Sequence, residues 1–279
     1  MDMPHTSIYF RIQAPEGIIA SAENLSRDPG EIGMSRSLVA KFLFFSVSLS
    51  LPMLQGLGSC LKAQGPEINL SNVNRVAFIG NSITLHGPKD DIDWHGNWGM
   101  AATEAERDYV HRLAKRLEEA TKRKPQVSVR NLADFERGYD KYDLESGLAE
   151  TVAFQPELVV VSLGENVPAL DTDQKVESFE AAFQKLLQRL QSQSGNTPPQ
   201  ILVRGTFWRD DAKEGAMKRA AEKVKARFVS LEGLDQDPLN FGRSERPWKH
   251  AGVGGHPGDR GMERIAERIW GAISPSGKK

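Results

Sequence analysis

Three side chains in this sequence have types and settings that suit one piece of chemistry: Ser82, Asn166 and His256. Ser82 closes Gly80-Asn81-Ser82 just after the apolar run Arg75 to Ile79. Asn166 closes Gly164-Glu165-Asn166 after a second such run, and His256 lies in Gly254-Gly255-His256-Pro257. A serine hydroxyl ionises too weakly to attack a carbonyl at neutral pH, so a histidine must take its proton as the new bond forms. A carboxamide N–H can hold the negative oxygen that then develops, a contact worth roughly 3 kcal/mol. Together these groups describe acyl transfer. Taken singly, each has a plainer reading, since Ser and Asn are common turn formers and His256 precedes a helix-starting proline.

Whether the three meet depends on the elements that carry them. Leu158 to Leu163 is almost continuously apolar, as expected of a strand buried on both faces of a parallel sheet. Val127 to Leu132, Ile201 to Gly205 and Arg227 to Leu231 read as further strands. Between them lie segments of helical period. One opens at Thr103, with Glu106 completing a capping box, and shows Tyr109, Val110, Leu113 and Leu117 on one face. Others cover Asp143 to Ala153, the stretch bearing Val176, Phe179, Phe183, Leu186, Leu187 and Leu190, and Asp211 to Lys225. The last begins after Pro257 and buries Met262, Ile265, Ala266, Ile269 and Trp270. The alternation predicts a single α/β domain over residues 72–275, a three-layer α/β/α fold around a five-stranded parallel sheet. In such sheets ligands bind beyond the carboxyl ends of the strands, where the strand order reverses. With a flavodoxin-like order 2-1-3-4-5, Ser82 and Asn166 are neighbours there.

The three blocks, in this order and on these elements, resemble those of SGNH hydrolases, the GDSL-like esterases, from about residue 73 to 273. The resemblance implies that Ser82 is the nucleophile and His256 the general base. It also makes Asn166 and the backbone N–H of Ser82 the oxyanion donors, and it calls for no cofactor. The family's remaining block, a glycine after the second strand, is represented here by Gly138, further from Asn131 than usual. Two positions depart from the pattern. Val253 stands three residues before His256, where the family commonly has an aspartate, and Val167 follows Asn166 where aspartate is frequent. Either Ser82 and His256 act as a dyad, or a carboxylate from elsewhere serves, with Asp259, Glu165 and Glu136 as unranked candidates.

Two long loops flank the blocks. His86 to Ala102 carries His86, Asp90, Asp91, Asp93 and His95, which we do not read as a metal site because ligation needs convergent geometry that such a run does not imply. Its Trp94 and Trp98 either stack on a sugar face at the mouth of the site or simply pack the loop. Trp208, just past the fourth strand, has a similar claim to the substrate. Leu234 to His256 is a second aperiodic stretch, and loops of that length in compact domains usually have a function. Arg204, inside the fourth strand, must be paired if it is buried.

Composition sets the outer bounds. Of 279 residues, 39% are hydrophobic and 26% charged, in the range of globular proteins, and a formal net charge of −1 offers no footprint for nucleic acid. Residues 1–33 lack periodicity and read as a non-native or disordered extension. Residues 34–63 have the layout of a secretory signal: a basic start at Arg36 and Lys41, an apolar core from Phe42 to Leu51, then small residues. Met34 is the expected translation start. Leu57-Gly58-Ser59-Cys60 resembles a bacterial lipobox, which would anchor the chain to a membrane through Cys60, while cleavage after Ala63 is the competing reading. Cys60 is the only cysteine, so a mature domain beyond it has neither a disulfide nor a thiolate site. The expectation is a secreted, periplasmic or lipid-anchored serine esterase acting on an O-acetylated carbohydrate. Two alternatives are a carbohydrate O-acetyltransferase and a non-catalytic carbohydrate-binding protein on the same fold.

Overall fold

The computed structural model describes residues 63–192 and 197–274. The expected extension at 1–33 and the leader at 34–63, Cys60 included, lie outside the described residues except for Ala63. Five strands form one parallel sheet: β1 (Arg75–Gly80), β2 (Gln126–Asn131), β3 (Leu158–Ser162), β4 (Gln200–Arg204) and β5 (Arg227–Val229). Their order is β2-β1-β3-β4-β5, so the reversal falls between β1 and β3. Val76 pairs with Leu158 and Gly80 with Ser162, which brings the ends of these two strands level.

Side-chain alternation builds the three layers. Val76, Phe78, Leu158, Val160 and Leu202 point to one face and meet Leu113 and Leu117 of α1 (Tyr109–Thr121) and Ile265 and Ile269 of α7 (Asp259–Ile273). Ala77, Ile79, Val159, Val161 and Val203 point to the other, where α3 (Leu144–Phe154), α4 (Asp173–Gln191) and α5 (Asp211–Lys223) supply Leu148, Phe183, Leu187 and Met217. Two short helices were not expected from the sequence: α2 (Ala133–Arg137), directly after β2, and α6 (Ala251–Gly254), inside the second long loop. Trp270 is partly buried and packs against the first cluster. Among the described residues, no helix is long and apolar enough to cross a membrane.

One expected helix start is corrected. Thr103 does not cap α1; Asp108 does, its carboxylate accepting from the His111 N–H at 2.8 Å. Thr103 is occupied elsewhere, its N–H and hydroxyl both donating to Asp259 at the start of α7 (2.8 and 2.7 Å). A short 3₁₀ turn, Ala105–Arg107, bridges the gap. The second long loop caps α7 as well, because the Glu245 carboxylate accepts from the N–H groups of Asp259 and Arg260 (2.8 and 2.9 Å). A carboxylate there also favours the positive end of the helix dipole.

Candidate active site

Two glycines allow the strand ends to approach. A Cβ on Gly80 would lie 1.9 Å from Thr84 Oγ1 and 2.9 Å from the Ser162 carbonyl. Gly164 has φ +129°, a conformation that side chains rarely tolerate, and a Cβ there would lie 2.6 Å from Thr206 Cγ2. The turns that follow these glycines present Ser82 and Asn166 into a cleft of about 350 Å³ at the carboxyl end of the sheet. Asn131, Arg137, His250 and His256 also line it. That volume is near the lower end of the range for small-molecule sites, roughly 300–1,000 Å³.

Ser82 Oγ lies 2.8 Å from His256 Nε2. The other ring nitrogen, Nδ1, lies 2.7 Å from the carbonyl oxygen of Gly252. A carbonyl only accepts, so Nδ1 carries the proton and Nε2 is left with its lone pair facing the serine. The turn that supplies this carbonyl is set by His250, whose Nδ1 accepts from the Gly252 N–H at 3.2 Å and caps α6. Desolvation holds the half-buried His256 below the usual histidine pKa. The Gly252 bond opposes that shift, His86 adds to it and Glu165 opposes it. The ring is therefore neutral, and competent as a base, at neutral pH.

The three candidate acids are committed elsewhere. Asp259 binds Thr103 and Arg107. Glu165 accepts from Asn81 Nδ2 (2.6 Å), from the Phe207 N–H (3.0 Å) and from Arg204, which is fully buried and so finds the partner its burial requires. Glu136, also fully buried, accepts from Asn81 Nδ2 (3.0 Å), the Gly164 N–H (2.5 Å) and Asn166 Nδ2 (2.5 Å). Burial and the nearby Glu165 raise the Glu136 carboxyl above the ordinary range, against the pull of its three N–H donors. Val253, in the place of the family's aspartate, is 1% exposed and packs with Trp94, Met100 and Ala101.

Other expectations are corrected by position. Gly138 lies outside the cleft lining; it ends α2, and its N–H donates to the Asp134 carbonyl (3.1 Å), so that group does not face an oxyanion. Ala133 and Asp134 occupy the stretch after β2 that reaches the cleft. Trp94 is 2% exposed, its indole N–H donating to the His86 carbonyl (3.0 Å) and its ring packed on Trp98 and Trp248. Trp98 donates to the Ala102 carbonyl (2.9 Å). Both pack the first long loop, the plainer of their two readings. Trp208 is 37% exposed and stands edge-on to His256, with ring centroids 5.4 Å apart. The sequence reading assigned no role to His86, His250 or Arg137. Their only signal was proximity in sequence to the motifs, as His86 follows Ser82 by four residues and His250 precedes His256 by six.

Residues 78–264 match the model of the GDSL-like Lipase/Acylhydrolase family. This chain belongs to that family. A search of the curated proteins finds no relative. Among solved structures the chain is similar to a GDSL-like lipase from Parabacteroides merdae, at 20% identity over 75% of this chain and 99% of that one, with a TM-score of 0.47. It is also similar to a two-domain esterase active on acetylated mannans (17% identity, 71% of this chain, 48% of that one, TM-score 0.46). An acetyl xylan esterase from the rumen bacterium Butyrivibrio proteoclasticus matches at 18% identity over 73% of this chain and 63% of that one, with a TM-score of 0.42. The chain thus spans about half the length of the two-domain esterase.

Proposed function

We propose that this protein is a serine hydrolase of carboxylic esters whose substrate is a short-chain ester on a carbohydrate. The observation that carries this reading is the 2.8 Å contact between Ser82 Oγ and His256 Nε2, in a histidine whose tautomer is set by the Gly252 carbonyl. Ser82 Oγ attacks the acyl carbon while His256 Nε2 takes its proton. The oxyanion forms against the Ser82 N–H and the Asn166 amide. Collapse breaks the ester bond, and His256 returns the proton to the departing alkoxide, leaving an acyl group on Ser82. Water then attacks the acyl-enzyme with His256 again as base, releasing the carboxylic acid and restoring the hydroxyl.

In this scheme a neutral carbonyl does the orienting work that a carboxylate does in a triad. It fixes the ring and its tautomer, which is the larger part of what the acid supplies, but it gives the transient imidazolium no ionic partner. The carbohydrate assignment rests on the cleft. Asn131, Asp134, Arg137 and His250 offer hydrogen-bonding groups suited to hydroxyls, and Trp208 offers an exposed aromatic surface beside the base. A non-catalytic binding protein would have no need for a serine hydroxyl held on the lone pair of a histidine. The leader-like segment 34–63 supports action outside the cytoplasm.

The test is S82A, assayed with p-nitrophenyl acetate and with an acetylated oligosaccharide. Loss of about 10⁴-fold or more in kcat on both substrates is expected. Near wild-type turnover by S82A would overturn the mechanism. Wild-type turnover of the nitrophenyl ester with none of the oligosaccharide would overturn the substrate class.

A further inference from the structure

The cleft stands on a buried polar layer that the proposed mechanism does not use. Asn81 spends both amide hydrogens on carboxylates, one on Glu136 and one on Glu165, and its Oδ1 accepts from the Ile83 N–H at 3.1 Å. Glu136 Oε1 takes Asn81 and Gly164; its Oε2 takes Asn166 alone. Glu165 takes Asn81, Arg204 and the Phe207 N–H. Two carboxylates thereby join the chain at the ends of β1, β2, β3 and β4. Burying a second carboxylate beside Glu165 is costly, and packing alone would be better served by an apolar side chain at 136.

We infer that Glu136 is a positioning residue for the oxyanion site: by accepting from Asn166 Nδ2, it fixes which end of that carboxamide faces the substrate. A carboxamide presents an acceptor at one end and two donor hydrogens at the other, and the two ends are nearly isosteric. A carboxylate accepts only. Opposite Glu136 Oε2 the amide must offer its NH₂, which commits one hydrogen to the carboxylate and leaves the other for the oxyanion. The reverse orientation would set Asn166 Oδ1 against both the carboxylate and the developing negative charge. The same carboxylate grips the Gly164 N–H and Asn81, so the turns that carry Asn166 and Ser82 are located from one point. This inference rests on the hydrolase reading above.

E136Q separates it from a merely structural role. Glutamine is close to isosteric, but it carries one acceptor and one donor where three donors converge. With its oxygen toward Gly164 and Asn81, its NH₂ meets Asn166 and favours the flipped amide; turned the other way, it sets donor against donor at Gly164. We expect kcat to fall roughly 10- to 100-fold with KM changed less than about threefold, the signature of a contact made in the transition state. In an N166A background, where loss of one oxyanion donor is expected to leave measurable turnover, E136Q should lower kcat several-fold less than it does in the wild type, because no amide remains to be oriented and only the grip on Gly164 and Asn81 is disturbed. If E136Q does not accumulate as folded protein, E136D gives the same readout. It keeps both acceptors but withdraws them by one methylene, and its smaller kcat loss should likewise shrink in N166A. Unchanged kcat in the single variant, or an equal loss with and without Asn166, would overturn the inference. Near wild-type turnover by S82A would instead overturn the hydrolase reading, so the two failures are distinct.

Discussion

Asn166 and His256 line the same cleft as Ser82, and they are held there by structures of opposite kind. The amide hangs from a fully buried carboxylate that also grips the turns after β1 and β3, with a second carboxylate and a buried arginine behind it. The imidazole is oriented by one main-chain carbonyl, on a four-residue helix within a long loop. On the first side, geometry depends on the identity of several side chains, and substitution of any of them is felt. On the second it depends on the path of the backbone, and side chains matter only by shaping that path. The proposed oxyanion side is therefore chemically demanding, while the proposed base side should tolerate changes of residue that preserve the turn.

The sharpest way to break the contrast is to remove the cation from the buried layer. Arg204 is completely buried, and Glu165 is its carboxylate partner. R204M keeps an apolar stem of similar length but leaves Glu165 unpaired beside Glu136. Loss of about 3–5 kcal/mol is expected, measured by urea unfolding. A change under about 1 kcal/mol would mean that water or relaxation already screens this layer, and the oxyanion side would then be no more demanding than the base side.

A smaller effect is expected from restoring the family's acid at its usual place. V253D puts a carboxyl three residues before His256, but the Val253 side chain lies in the cluster formed with Trp94, Met100 and Ala101. A carboxyl there loses its hydration and displaces apolar contacts. Destabilisation of about 2–3 kcal/mol with no gain in kcat is expected, from unfolding and steady-state measurements on the same preparation. A rise in kcat at retained stability would show that Gly252 is a poor substitute for the acid.

These two sites also mark where the sequence could and could not be read. Ser82, Asn166 and His256 were legible as a set, and the apolar runs at Arg75 to Ile79 and at Leu158, with a flavodoxin-like strand order, placed the first two at one sheet end. Gly252 was invisible for a simple reason: every residue has a carbonyl, so an orienting acceptor from the backbone leaves no trace in residue types. Glu136 was visible as a residue but not as a role. An acid in the first turns of a short helix normally suits the helix dipole and solvent, and only the fold turns this one inward against Asn166. Thr103 with Glu106 made a credible cap, but a tertiary bond takes Thr103 to Asp259 and leaves the capping to Asp108. Trp94 and Trp208 are the same residue type in similar loops, and burial under Trp248 separates them from each other.

The gentlest probe is the acid limb of the pH profile. In the proposed mechanism His256 must be neutral to accept the Ser82 proton, and desolvation holds its pKa below the ordinary value of about 6.5. At pH values above that depressed pKa the base is available; activity is lost as pH falls through it, so the limb in kcat/KM should be centred below about 6.5. An ion-paired histidine would behave in the opposite way, because a carboxylate partner stabilises the imidazolium and moves the limb upward. Burial raises the Glu136 carboxyl, so its protonation would add an acid-side loss through Asn166, and that contribution vanishes in E136Q while the histidine limb stays. A limb that remains centred above 6.5 in E136Q would mean that a carboxylate reaches His256 in solution. The base side would then be held by a side chain after all, and the distinction between the two halves of the site would be lost.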